Sequence, residues 1–96
     1  MDFVTIGDTI KLDVEFKNFA GVYADPTSIT LKLYDENQIQ IGAIVSITAT
    51  YKISTGIYEY PYTVPGGYSN ITYEYSGILE SVPITKRATI YPKFVV

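Results

Sequence analysis

Apolar and polar residues alternate strictly along much of this chain, and that period of two constrains the fold more than any other feature. In residues 9–17, Ile10, Leu12, Val14 and Phe16 take every second position, with Lys11, Asp13, Glu15 and Lys17 at or between them. Successive side chains of a β-strand point to opposite faces, so the segment predicts a strand with one buried face and one wet face. The pattern returns at Ile29, Leu31 and Leu33, at Tyr58, Tyr60 and Tyr62, and at Ile71, Tyr73 and Tyr75. The expected core is therefore Ile10, Leu12, Val14, Phe16, Ile29, Leu31, Leu33, Tyr58, Tyr60, Ile71, Tyr73 and Tyr75. No segment shows sustained helical spacing of apolar residues bounded by a cap.

Turn signals cut the chain at the short intervals that an all-β sandwich requires. Gly7-Asp8 separates a first strand, residues 2–6, from the second. Asn18-Phe19-Ala20-Gly21 and Ala24-Asp25-Pro26 make a longer connection to a third strand ending at Tyr34, after which Asp35-Glu36-Asn37 is a polar hairpin turn. Residues 38–54 read either as two short strands or as one long strand with a bulge near Gly42. Ser54-Thr55-Gly56 leads into residues 57–64, where Pro61 cannot donate to a ladder and should face an edge or a bulge. Pro65-Gly66-Gly67 is a turn. A strand over residues 70–76 then passes through Gly77 to a last strand over residues 82–95, with Pro92 marking a break. The whole chain, residues 1–96, makes one domain of about seven strands, because neither half holds a usable core alone.

Composition narrows the function classes. The chain is 47% hydrophobic, which excludes disorder, and its ten tyrosines and four phenylalanines favour a β core. A net charge of -3 argues against a phosphate-backbone binder, so no nucleic-acid partner is expected. Cysteine and histidine are both absent, which removes disulfides, thiolate metal sites and the commonest general base. No apolar run approaches membrane-spanning length and no basic start precedes one, so the expectation is a protein made in the cytosol without membrane association.

Little catalytic chemistry is legible. No G-x-S-x-G elbow or S-x-x-K pair appears, and Lys52-Ile53-Ser54 is a generic spacing. Asp8, Asp25, Asp35 and Glu36 fall in turns, where oxygen ligands can gather around calcium. Turns also recruit Asp for local backbone hydrogen bonds, and no D-x-D-x-D-G loop is present, so turn chemistry is the better account. Asn70-Ile71-Thr72 matches a glycosylation acceptor, without consequence in a cytosolic chain. The expectation is a non-enzyme with no catalytic residues, metal or cofactor.

The tyrosines divide into two sets. Those of the alternating strands pack in the core, each phenol reaching a partner or water. Tyr23, Tyr68 and Tyr91 lie in or beside turns and are candidate contact residues. Ile39, Ile41 and Ile44 join them, because residues 39–53 carry a single charge, Lys52, and would be under-protected at a sheet edge. Phe94 completes the set, since Pro92-Lys93-Phe94-Val95-Val96 is apolar for a chain end and should dock on its own sheet or a neighbour.

Taken in order, Gly7-Asp8-Thr9-Ile10-Lys11-Leu12, the run from Tyr23 through Asp25-Pro26-Thr27-Ser28-Ile29-Thr30-Leu31, the turn Tyr34-Asp35-Glu36-Asn37 and Thr55-Gly56-Ile57-Tyr58-Glu59-Tyr60 resemble small immunoglobulin-like β-sandwich proteins of bacteriophages. Gly77-Ile78-Leu79-Glu80-Ser81-Val82-Pro83 only loosely matches the glycine-led hairpin that precedes the last strand in such proteins. The resemblance implies an all-β, immunoglobulin-like antiparallel β-sandwich. It also implies a virion component: a head decoration, a head–tail connector or neck part, or a tail-associated module. Its partners would be capsid, portal or tail subunits, in an oligomer or multi-subunit assembly. Related modules of bacterial surface proteins supply the alternative, an adhesin or carbohydrate-binding domain with Tyr23, Tyr68 and Tyr91 on one rim.

Overall fold

The computed structural model describes residues 2–93, so the expected docking of Phe94 lies outside the described residues. The strands are β1 (Asp2–Thr5), β2 (Thr9–Glu15), β3 (Thr27–Tyr34), β4 (Val45–Ser46), β5 (Lys52–Ser54), β6 (Ile57–Thr63), β7 (Ile71–Leu79) and β8 (Val82–Lys93). One 3₁₀ turn, Ala49–Tyr51, capped by the Thr48 side chain, joins β4 to β5. The strands form two sheets, ordered β1-β8-β7-β3-β4 and β2-β6-β5. That is the G-F-C and B-E-D order of an immunoglobulin-type sandwich, and the chain folds as one. The strand count rises to eight because residues 38–54 supply two short strands, β4 and β5. The ladders are antiparallel except one: β1 runs parallel to β8, with Asp2 opposite Ile90 and Thr5 opposite Lys93.

The alternating residues face each other across the two sheets. Leu12, Val14, Phe16, Ile29, Leu31, Leu33, Tyr58, Ile71 and Tyr75 are buried together, while Ile10, Tyr60 and Tyr73 are half-buried against them. Phe16, just beyond β2, meets Tyr75 of the opposite sheet edge-on, with ring centroids 6.5 Å apart. The Tyr75 hydroxyl donates to the Leu12 carbonyl, so the phenol is satisfied inside the core. Ile47 is also buried, its amide donating to the Ile29 carbonyl at 2.9 Å. It lies just beyond β4, within the stretch 38–54 that reads as strand.

Two corrections concern strand ends. Gly77 does not lead a turn. It lies inside β7, and a Cβ there would sit 2.8 Å from Pro26 Cβ, so the position is closely packed. The β7–β8 hairpin turns instead at Glu80-Ser81, both in the left-handed region at φ 52° and 65°, between the paired Leu79 and Val82. This is the type I′ geometry that two-residue hairpins favour, made here without glycine. Pro92 does not break β8 either. The Lys93 carbonyl accepts from the Ile6 amide, so Lys93 faces β1 and, by alternation, Pro92 faces the β7 side. There β7 has not yet begun, since its first residue, Ile71, is opposite Ile90. Pro61 is accommodated in the same way. The Val64 amide donates to the Asp8 carbonyl, so Pro61 faces away from β2, past Tyr58, where Lys52 of β5 pairs. A proline is tolerated within a strand wherever its missing N–H points at no neighbour.

Candidate functional site

Asp25, in the connection between β2 and β3, ties three other residues together. Its carboxylate accepts from Lys52 Nζ at 2.6 Å, the Gly56 amide at 2.8 Å and the Tyr58 hydroxyl at 3.1 Å. Asp25 precedes Pro26, which fixes its own φ and holds Asp25 extended. Gly56, at φ +76°, must remain glycine, because a Cβ there would approach the Phe16 carbonyl to 2.6 Å. The two sequence pieces around Asp25 and Gly56-Ile57-Tyr58 thus meet in space as one joint. Donation from Lys52, then from Gly56, holds the Asp25 carboxyl below the usual carboxylate range. Burial and the hydrogen bond to Asp25 raise the Tyr58 phenol. The joint is a mechanical tie between a loop and the β5–β6 turn.

A second polar cluster sits on the outer face of the larger sheet. Glu74 of β7 is buried, and Arg87 of β8, directly opposite, donates from Nε at 2.7 Å and Nη2 at 2.6 Å to its Oε2. The Arg87 guanidinium lies over the Tyr34 ring, and Thr72 and Thr89 share a 3.0 Å hydrogen bond beside it. These groups satisfy one another. Asp35 likewise spends its Oδ1 on the Asn37 and Ile39 amides, closing its turn. Among the described residues no group of three or more His, Cys, Asp or Glu side chains is placed to hold a metal ion.

The candidate contact residues are dispersed. Tyr23 follows β2, whereas Tyr68 follows β6, which runs antiparallel to β2, so the two lie at opposite ends of the sandwich. Tyr91, near the end of β8, shares the Tyr68 end and packs on Phe3, ring centroids 5.8 Å apart. The three therefore form no single rim. Tyr68 and Ile41 are half-buried against the core, and Ile41 donates to the Leu33 carbonyl, which removes both from an open surface. Tyr23 is partly committed too: its hydroxyl donates to Glu15 at 3.1 Å and Lys17 lies over its ring at 4.9 Å.

Besides Phe3 beside Tyr91, and Ile78 with Val82 on the β7–β8 hairpin, two exposed apolar features occur among the described residues. The first is the flank formed by β4 and β5, the edge strands of the two sheets, joined by the 3₁₀ turn. There Ile39 is 63% exposed, Ile53 58% and Ile44 52%. The second was not among the expected residues. Phe19, 76% exposed, stands at the tip of the β2–β3 connection with exposed Val22 beside it. Asn18 braces this tip: its Oδ1 accepts from the Ala20 and Val22 amides, its amide donates to Val22 and its carbonyl accepts from Gly21. Lys17 and Tyr23 close the loop as a β-bridge. The pair Asn18 and Gly21 was a readable turn signal, but nothing in the alternation shows which way the intervening Phe19 points.

No family model, no curated protein and no solved structure matches this chain.

Proposed function

We propose that this protein is a non-enzymatic structural subunit of a bacteriophage virion that binds other particle subunits, as a head decoration, a connector or neck part, or a tail-associated module. The observation that carries the reading is the Phe19 tip. A loop whose backbone is tied by its own asparagine presents to solvent the most exposed large apolar side chain among the described residues. Holding an aromatic anchor rigid in the free state lowers the ordering cost of docking it, and aromatic anchors dominate protein interfaces. The strongest polar groups, Asp25 and Glu74, are meanwhile spent on internal bonds. The bacteriophage assignment itself is supported by the sequence resemblance through Asp25-Pro26-Thr27-Ser28-Ile29-Thr30-Leu31 and Thr55-Gly56-Ile57-Tyr58-Glu59-Tyr60.

The test has a genetic arm and a physical one. The genes beside this one should encode capsid, portal or tail proteins, and the chain should sediment with assembled particles. Phe19→Ser should deplete it from those particles while leaving stability within about 0.5 kcal/mol, as for other surface substitutions. Neighbouring genes for secretion and surface anchoring, or full incorporation of the Phe19→Ser chain, would overturn the reading.

A further inference from the structure

We propose that the β4–β5 flank docks a second copy of this chain across a two-fold axis, burying Ile39, Ile44 and Ile53 against the same flank of the partner. The inference rests on the assembly reading above only for the expectation that subunits touch. Its own support is the distribution of charge. No charged residue occurs between Glu36 and Lys52, a stretch that contains the exposed Ile39 and Ile44 and all of β4. The one charge that follows, Lys52, is neutralised by Asp25 of the same chain at 2.6 Å.

A two-fold contact places the same patch on both sides, so any unpaired charge within it meets its own sign. The net charge of -3 makes approach between two copies unfavourable in general. Along residues 37–51 of this flank no charge adds to that penalty, and Ile39, Ile44 and Ile53 stand exposed there. The other long edge shows the contrast: β2 displays Lys11, Asp13 and Glu15, and Asp13 stands opposite Glu59. An uncharged flank also gives nothing for a charged partner to recognise, which favours a second copy over a basic or acidic protein.

The backbone sets how the copies meet. The Ile47 amide donates to β3, so by alternation the Ser46 amide and carbonyl turn outward. Continuous sheet extension beyond that point is blocked, because the strand is irregular. Between the Tyr34–Gln40 bridge and the Leu31–Val45 pair, β3 advances three positions while its partner advances five. Gly42, at φ +69°, lies in that bulge. The contact is therefore made chiefly by side chains, and it closes at two copies instead of growing into a fibre.

Sedimentation velocity of the full chain over a wide concentration range tests this. The chain should pass from monomer to dimer, and Ile44→Lys should raise the dissociation constant at least about tenfold. Ile39→Lys should do the same, and both should melt as the parent does. Val82→Lys, at an exposed apolar position on the β7–β8 hairpin, should leave the dimer intact. Added salt should tighten the dimer by screening the like net charges. A monomer at every concentration, a dimer indifferent to both lysines, or one that salt dissociates would overturn the proposal. The two readings fail separately. A monomer whose gene lies among capsid and tail genes removes only the two-fold contact. A dimer whose gene lies among secretion genes removes only the virion assignment.

Discussion

The two flanks of this sandwich solve one problem in different ways. An edge strand offers unpaired backbone groups to any passing chain, and proteins blunt such edges with charge, irregularity or cover. On one flank β2 keeps a single register with β6 from Thr9–Thr63 to Glu15–Ile57. Phe16 and Val64 donate across this ladder, to Gly56 and to Asp8, so by alternation the outward-facing backbone belongs to Thr9, Lys11, Asp13 and Glu15. Three of the four open pairing sites on that edge carry a charge. The opposite flank has no charge on β4 and is protected only by its bulge and its brevity. Irregular backbone prevents strand addition but leaves apolar side chains uncovered. The β2 edge is guarded by charge, and the β4 edge is closed only to sheet growth.

Several changes would break or sharpen that comparison. The largest expected effect is at the joint that anchors the uncharged flank. Gly56→Ala combines a left-handed backbone with a clash against the Phe16 carbonyl and should cost about 2–5 kcal/mol in urea unfolding. Leu12→Ala, the corresponding core deletion under the charged flank, should also cost about 2–5 kcal/mol. Equal losses would show that the flanks differ in surface and not in how firmly they are built.

Asp25→Asn should cost about 1 kcal/mol through weakened hydrogen bonds to Lys52, Gly56 and Tyr58. It should also flatten the acid limb of the stability curve. The carboxyl is lowered in the folded state, so its stabilisation is complete above the usual carboxylate range and is lost as pH falls through the lowered value. The tyrosines act at the other limit. Burial raises Tyr58, Tyr62 and Tyr75, so the protonated phenols stabilise the fold below the ordinary phenol range, and stability falls as pH rises through their raised values. Ultraviolet titration should show these phenols ionising late, together with alkaline unfolding.

A double substitution at the hairpin, Glu80→Asn with Ser81→Gly, should stabilise the protein by about 1 kcal/mol, since it supplies the residues that left-handed turn positions favour. Association should not change, which separates stability from self-contact. The smallest thermodynamic effect is expected for Asp13→Thr with Glu15→Thr, within about 0.5 kcal/mol. Solubility should nevertheless fall, because the charge that closes the β2 edge has been removed.

Alternation made most of the fold legible, because a half-buried strand writes its period directly into sequence. It failed where tertiary context decides. Pro92 looked like a break because the sequence does not reveal which side of β8 still has a neighbour. Gly77 looked like a turn because glycine usually marks one. Here it makes room for Pro26, while Glu80 and Ser81 adopt the turn geometry. Ile39 and Ile44 could be read as exposed from the missing charge around them. Tyr23 and Tyr68 could not be placed, since their ends of the sandwich depend on strand direction. Phe19 was hidden because its exposure comes from the brace Asn18 gives the loop, and no period records that.

Hydrogen exchange at low and high protein concentration tests the difference between the flanks most directly. Amides of residues 39–53, Ser46 above all, should gain protection as concentration rises, while the outward amides of Lys11, Asp13 and Glu15 exchange at an unchanged rate. Protection gained along β2, or none gained along residues 39–53, would contradict the account.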